Sequence, residues 1–264
     1  MIIMKLYIIG NGFDLEHGLP ARYSDFASFC KLNKPELFEL INNTFPNITT
    51  DSLWSNFEEG LGTPEPSAIK SCYHLFGDKS IQNYSLSFNS FLKEAFKDWV
   101  ISIKRLTTLL DKHFLFDKDS CFLSFNYTDL LETLYGIKSK ILHIHDYVDA
   151  DDEEFFAGYI YGHSGKKHNN VNDDINIFIN DLEKKYKDDN LKVWVEKNIP
   201  SDGNLEIVVL GHSMSPVDDK YFSIINEHFP ESKWYIFYFD CRDYYSKLSS
   251  ISRLNIKFFE LFKS

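Results

Sequence analysis

An apolar segment that runs directly into a pair of glycines constrains the fold of this chain more than any other feature. Residues 4–9 are Met-Lys-Leu-Tyr-Ile-Ile, and Gly10-Asn11-Gly12 follows at once, with Gly18 six residues later. This pattern is typical of a first β-strand that turns tightly into a helix and offers backbone N–H groups to a phosphate. The spacing differs from the Gly-x-Gly-x-x-Gly of dehydrogenases, so a tight βα turn without a ligand stays open beside a nucleotide-binding turn.

Further apolar segments alternate with helical patterns, and this alternation predicts an α/β fold with a Rossmann-like parallel sheet. The later predicted strands are 120–126, 141–145, 205–211, 234–239 and a short one near 256–259. The predicted helices include a long amphipathic one at 86–112, a polar one near 174–188 and a terminal one at 242–251. We predict a single domain over 1–264, with a helical elaboration at about 35–115 and an acidic insertion at about 146–200.

Charge and composition exclude several classes of function. The net charge of −11 argues against a nonspecific nucleic-acid binder, which needs a basic surface. The opening apolar stretch is interrupted by Lys5 and is too short for a transmembrane helix, and no other stretch reaches that length. The four cysteines lack Cys-x-x-Cys spacing, which predicts reduced thiols. We therefore expect a cytoplasmic protein that binds neither a membrane nor nonspecific nucleic acid.

Polar or glycine-containing residues follow four of the predicted strands. These strand tips are Gly10-Asn11-Gly12, Ser124–Asp129, His143–Asp146 and Gly211–Ser215. Ligands of parallel α/β sheets bind beyond the carboxyl ends of the strands. The sequence therefore predicts one shared pocket, built by all four tips.

Two side chains in this pocket are candidate catalytic residues. Asn126 can hydrogen-bond ribose hydroxyls or position a water, although a turn or helix-cap role stays open. His143 and His145 share one face of a strand, and we favour His145, nearer the strand end, as the proton acceptor. Asp218 or Asp219 would bind a second ribose.

The remaining candidates form the predicted nucleotide-binding set. It comprises Gly10, Asn11, Gly12, Phe13, Asp14, Gly18, Tyr127, Asp129, Gly211, His212, Ser213 and Asp218. The glycine turns would hold a pyrophosphate because they lack a Cβ. For Asp14, a helix cap and a contact with a ribose hydroxyl are both open.

The four tips, in this order, resemble the AbiH family of bacteriophage abortive infection proteins. The resemblance rests on Gly10–Leu15, Gly18-Leu19-Pro20, Tyr23–Phe26, Trp54, Phe57-Glu58, Phe125–Thr128, Leu131-Glu132, His143–His145, Gly211–Ser213 and Asp218. It implies a bacterial defence protein whose partner is a phage-derived trigger or another defence protein, and it leaves a homo-oligomer open.

The AbiH family is in turn similar to sirtuin-like NAD-consuming domains. Those domains carry a Gly-x-Gly turn, Asn-Tyr-Asp followed by Leu-Glu, a strand ending in His-Gly, and a late Gly-Tyr-Ser with a downstream Asp. This chain departs at Asp14, where such loops often carry Ser, at Thr128, which interrupts Asn-Tyr-Asp, and at Asp146, which replaces the glycine. The similarity implies NAD, or a related adenine nucleotide, as ligand or substrate, with hydrolysis of the nicotinamide–ribose bond.

Other functions stay open to different degrees. A nucleotide-binding sensor without catalysis would keep the glycine turns but would not need Asn126 or His145 as reactive groups. A metal-dependent hydrolase could use His143-Ile144-His145 with Asp146, His163, His168 or His212, but these further ligands have no recognisable spacing, so we predict no metal. A serine hydrolase is disfavoured because only His228 follows Ser213. A dehydrogenase is disfavoured because the ribose-binding acidic residue expected about 20 positions after the glycine turn, at the end of a second strand, is not evident.

Overall fold

In a computed structural model, the chain groups into two compact units, each of which is discontinuous in sequence. The first unit comprises residues 1–20, 103–157 and 186–264, and the second comprises 21–102 and 158–185. The structure describes residues 4–49, 54, 57–72, 80–104, 110–111, 114–117, 119–147, 162–165, 173–200 and 204–264. A single domain over the whole chain stays a prediction.

The first unit contains a parallel sheet. Its strands are β1 (Met4–Ile9), β2 (Cys121–Ser124), β3 (Ile141–His143), β4 (Leu205–Leu210), β5 (Lys233–Tyr238) and β6 (Phe259–Lys263). They pair in the order β3-β2-β1-β4-β5-β6, and every pairing is parallel. This is the order of doubly wound nucleotide-binding folds, in which the direction of strand addition reverses between β1 and β4. The predicted α/β class with a Rossmann-like sheet is confirmed.

Helices occur in both units. In chain order they are α1 (Asn11–Glu16), α2 (Tyr23–Asn33), α3 (Pro35–Thr44), α4 (Pro46–Thr49), α5 (Phe57–Gly60), α6 (Pro66–Cys72), α7 (Ile81–Lys104), α8 (Leu130–Thr133), α9 (Asp173–Asp181), α10 (Asp188–Asn198), α11 (Asp219–His228) and α12 (Cys241–Arg253). A 3-10 turn, Pro216–Asp218, precedes α11. No described helix is both long and apolar enough to cross a membrane.

One face of the sheet is the core of the first unit. Alternate residues of the central strands, such as Leu6 and Ile207, are fully buried on this face. They pack with buried side chains of α10, α11 and α12, such as Val195, Phe222 and Ile251. Because a strand points successive side chains to opposite faces, one helical layer can bury the alternate residues of all the central strands.

The opposite face of the sheet is aromatic and contains a groove of about 390 Å³. Tyr7 stacks on Phe122 of the neighbouring strand and meets Phe116 edge-on, with ring centroids 5.3 and 5.0 Å apart. Val208, Tyr235 and other residues along the strands line the groove, and none of the predicted site residues does. The lining includes Leu210, the last residue of β4, but no residue of the four tips.

The second unit has an aromatic helical core. Phe26 of α2 meets Phe96 and Trp99 of α7, with ring centroids 5.2 and 5.1 Å apart. Phe88 of α7 contacts Phe178 of α9 edge-on at 5.4 Å. The buried Phe88, Phe96 and Trp99 of α7 therefore belong to the core of the second unit.

Several predicted boundaries were wrong. The third strand ends at His143, not at 145, so His145 lies in the following turn and the two histidines do not share one face of a strand. The long helix begins at Ile81, not at 86, and is described as far as Lys104. The polar helix near 174–188 ends at Asp181, and a separate helix begins at Asp188. The last strand begins at Phe259, not at 256, because Ile256 N–H donates to the Ile251 carbonyl and closes the end of α12. Residues 148–161, 166–172 and 201–203, in or next to the predicted acidic insertion, lie outside the described residues.

Candidate functional site

The turns after β1 and β4 touch through their backbones at the carboxyl end of the sheet. Gly10 N–H donates to the Leu210 carbonyl at 2.9 Å, and Gly12 N–H donates to the Gly211 carbonyl at 2.6 Å. A Cβ on Gly10 would lie 2.4 Å from the Cα of His212, closer than atoms can approach. This contact by itself requires glycine at position 10, and the pyrophosphate-binding role of the turn stays a prediction.

Asp14 lies beneath this turn and holds the side chains of the tip after β2. The carboxylate is buried, with 2% of the residue exposed. Its Oδ1 accepts a hydrogen bond from Asn126 Nδ2, and its Oδ2 accepts one from Thr128 Oγ1, both at 2.8 Å. We call Asp14, Asn126 and Thr128 the Asp14 cluster. Gly10 occupies the N-cap position of α1 and Asp14 is the fourth residue of the helix, so the cap interpretation was wrong.

Within the Asp14 cluster, the amide of Asn126 uses its Nδ2 donor, and its Oδ1 acceptor has no partner among the described residues. Because Nδ2 donates to Asp14, the amide orientation is fixed. The Oδ1 atom is buried and has no hydrogen-bond partner within the part of the chain that the structure describes. A buried amide oxygen without a partner is costly, and a ligand hydroxyl or a water would satisfy it.

The environment of Asp14 changes its acidity. Burial raises the pKa of Asp14 to about 7, whereas the hydrogen bonds from Thr128 and Asn126 lower it. Nearby His143 also lowers the pKa, and Asp129 raises it. The carboxyl therefore changes its protonation state near neutral pH.

A second cluster joins the tips after β3 and β4. The buried Asp218 carboxylate has Oδ1 3.6 Å from His145 Nε2 and Oδ2 3.6 Å from His212 Nε2. Met214 N–H donates to His212 Nδ1 at 2.9 Å, so the proton of a neutral His212 is on Nε2 and directed towards Asp218. We call His145, Asp218 and His212 the Asp218 cluster.

The tip Phe125–Thr128 contacts both clusters. The Phe125 ring meets His145 and His212 edge-on, with centroids 5.2 and 4.2 Å apart, and Tyr127 stacks on His145 at 5.7 Å. Asn126 and Thr128, in alternation, bond to Asp14. One short segment thus brings the two clusters to the same end of the sheet while its side chains alternate between them.

The comparison with family models decides the classification of the chain. A model described as "Bacteriophage abortive infection AbiH" matches residues 6–238 and includes both clusters. The chain belongs to the AbiH family. This assigns the protein to bacteriophage abortive infection, whereas a similarity to sirtuin-like domains stays a prediction. Neither a curated protein nor a solved structure matches the chain significantly.

Other predicted residues of this AbiH protein have less central places. Phe13 packs against the His17 ring at 4.6 Å and the Tyr135 ring at 5.7 Å, as a core residue does. Asn11, Gly18 and Ser213 are exposed. Asp129 and Gly211 lie beside the two clusters, at the start of α8 and the end of β4. Their predicted contacts with a nucleotide stay predictions.

The two histidines of the third tip have different partners. His143 Nε2 lies 2.7 Å from Glu132 Oε1, whereas His145 faces Asp218. Asp146 follows with φ +59°, a left-handed backbone that glycine adopts without strain, and it pairs with Lys187 at 2.5 Å. Asp146 therefore has a backbone conformation that a glycine would also adopt.

Sequence reasoning missed some residues that build the site. Thr128 interrupts the expected Asn-Tyr-Asp, yet its hydroxyl is the second donor to Asp14. Met214 lies within the predicted tip Gly211–Ser215 but was not singled out as a site residue, and Lys187 carries no motif that could have identified it. Among the described residues, no group of three or more His, Cys, Asp or Glu side chains could hold a metal ion.

Proposed function

We propose that this AbiH protein binds NAD or a related adenine nucleotide at the carboxyl end of the sheet and hydrolyses its nicotinamide–ribose bond. The observation that carries the proposal is the buried Asn126 Oδ1, an acceptor without a described partner, on the same tip whose aromatic rings contact His145. A ribose supplies the hydroxyl donors that such an oxygen requires. The strand order also supports a nucleotide, since such folds bind ligands where strand addition reverses.

The chemistry asks little of a leaving-group acid. The C1′–N bond breaks with its electron pair passing to nicotinamide, which leaves as a neutral molecule, and a water oxygen forms the new bond to C1′. His145 accepts the proton of that water, and the Asp218 carboxylate 3.6 Å away stabilises the resulting imidazolium. Asn126 Oδ1 accepts a hydrogen bond from a ribose hydroxyl and so orients the sugar.

A nucleotide sensor without catalysis is the second candidate, and one observation favours it. Side chains of Phe125–Thr128 alternate between the Asp14 cluster and the Asp218 cluster. A nucleotide can bind at one cluster alone, whereas hydrolysis requires a ligand that reaches both. In a sensor, nucleotide binding would change the interaction of this protein with a phage-derived trigger or a defence partner.

Mass spectrometry of the purified protein incubated with NAD separates the two candidates. We expect the wild type to release nicotinamide and ADP-ribose, and we expect Asn126→Ala and His145→Ala to lose that release. His228→Ala, which changes an exposed histidine of α11, is the matched control and should keep it. Binding of ADP-ribose without any product would favour the sensor. The absence of both binding and product would reject a nucleotide site.

A further inference from the structure

The turn after β4, which carries His212, has an unusual backbone. Gly211 has φ +63° and Met214 has φ +56°, so two of its residues are left-handed. For a side chain such as methionine this conformation costs free energy and needs support from the surrounding structure. Met214 is also the residue whose N–H donates to His212 Nδ1, so its conformation bears directly on the imidazole.

Helix α12 supplies hydrogen-bond donors to this turn. Lys247 is buried, with 2% of the residue exposed, and its ammonium donates to the carbonyl of His212. The ammonium also pairs with Asp243, with Nζ 3.2 Å from Oδ1. Burial lowers the pKa of Lys247, whereas Asp243 raises it. A lysine held in such a place, despite the cost of burying its charge, has a structural use for its donors.

Two further side chains of α12 hold the Met214 carbonyl of the same turn. Ser250 Oγ donates to the Met214 carbonyl at 2.8 Å, and Arg253 Nη2 donates to the same oxygen at 2.7 Å. Arg253 Nη2 also bonds Asp219 Oδ1 at 2.8 Å, and Asp219 directly follows Asp218. Residues three apart on a helix lie on one face, so 247, 250 and 253 act together.

We propose that Lys247 is a positioning residue of the site, which holds the His212 backbone so that the imidazole keeps its Nε2 proton directed at Asp218. The connection runs from Lys247 to the His212 carbonyl, then through the His212 ring to Asp218, and from Asp218 to His145. Its consequence for catalysis rests on the proposed function. Its consequence for the His212 tautomer does not, because it depends only on the folded protein.

Nitrogen-15 NMR of the histidine side chains measures that tautomer directly. In the wild type we expect His212 with Nδ1 unprotonated and Nε2 protonated. In Lys247→Met we expect this preference to be lost, so that both nitrogens give averaged signals. Lys247→Arg keeps a cationic donor and should restore the wild-type signals. Lys184→Met, which removes a buried lysine in the second unit where it pairs with Glu58, should leave His212 unchanged.

Ser250→Ala covers the case in which Lys247→Met does not fold. It removes one of the two donors to the Met214 carbonyl and should partly average the same His212 signals. If the nucleotide is hydrolysed, Lys247→Met should reduce kcat by about tenfold or more, the size expected when a hydrogen bond from a charged donor is lost. A folded Lys247→Met protein that keeps the wild-type His212 tautomer overturns the inference. If Lys247→Met does not fold, wild-type His212 signals in Ser250→Ala overturn it. Absence of NAD turnover in the wild type contradicts only the proposed function, because the His212 tautomer does not depend on turnover.

Discussion

At the scale of one residue, the contacts of Asp14 differ from those that its place in the local sequence predicts. It lies in the first turn of α1, where an acidic side chain is common for helix-dipole reasons. Its carboxylate instead turns inward and accepts hydrogen bonds from Asn126 and Thr128. The sequence could identify the residue as part of the site, but not its contacts, because its partners are more than a hundred positions away.

The raised pKa of Asp14 predicts a pH-dependent stability. In the folded protein the pKa of Asp14 is about 7, so the carboxyl keeps its proton up to about that pH. In the unfolded chain its pKa has the ordinary value of 3.8, and the proton is lost near that pH. This group's contribution to stability is therefore complete below pH 3.8 and is lost as the pH rises through 7. Between pH 5 and pH 8, the free energy of unfolding of the wild type should fall relative to Asp14→Asn by roughly 3 kcal/mol. Urea unfolding of both proteins across this range measures the difference, and a constant difference would contradict the assigned pKa.

At the scale of elements, the contact between the turns after β1 and β4 organises the carboxyl end of the sheet. Strands β1, β4 and β5 are each apolar segments next to glycine or polar residues, and the sequence predicted them to within about a residue. Helix α10 escaped prediction because only Leu191 and Val195 of its residues are buried, which leaves a weak periodic pattern. Local periodicity therefore predicted the strands well and the solvated helices poorly.

Gly10→Ala tests the contact between the two turns. The new Cβ would lie 2.4 Å from the His212 Cα, and a backbone atom cannot move aside as a flexible side chain can. We expect a loss of about 2–3 kcal/mol in the free energy of unfolding, from overpacking. Gly18→Ala is the control, since its Cβ would meet nothing within 4 Å and only the strain of φ +80° remains. That strain costs about 1–2 kcal/mol. Equal shifts in the urea midpoints of the two variants would contradict this prediction, because they would show that the two turns move apart to accommodate the new Cβ at little cost in free energy.

At the scale of the whole molecule, the first unit depends on one helical layer against one face of its sheet. Ile207 of β4 is fully buried in this layer, with β1 on one side of its strand and β5 on the other. Ile207→Ala should lower the free energy of unfolding by about 2–5 kcal/mol, from lost burial and the cavity that remains. Val193→Ala, at a position 63% exposed on α10, should change it by less than about 0.5 kcal/mol. Chemical unfolding followed by circular dichroism compares them, and similar values would place Ile207 outside the cooperative core.

The sequence by itself determined the α/β class, the strand tips and the family, because hydrophobic periodicity, glycine turns and motif order are properties of local stretches of chain. Only the tertiary structure decided which side chains of those tips meet. Asp14 and Asn126 are 112 positions apart, and Lys247 reaches the backbone of His212 from 35 positions away. Such contacts depend on the order of strands in the sheet and on the burial that follows from it. The same burial raises the pKa of Asp14 and leaves the Asn126 Oδ1 atom without a hydrogen-bond partner among the described residues.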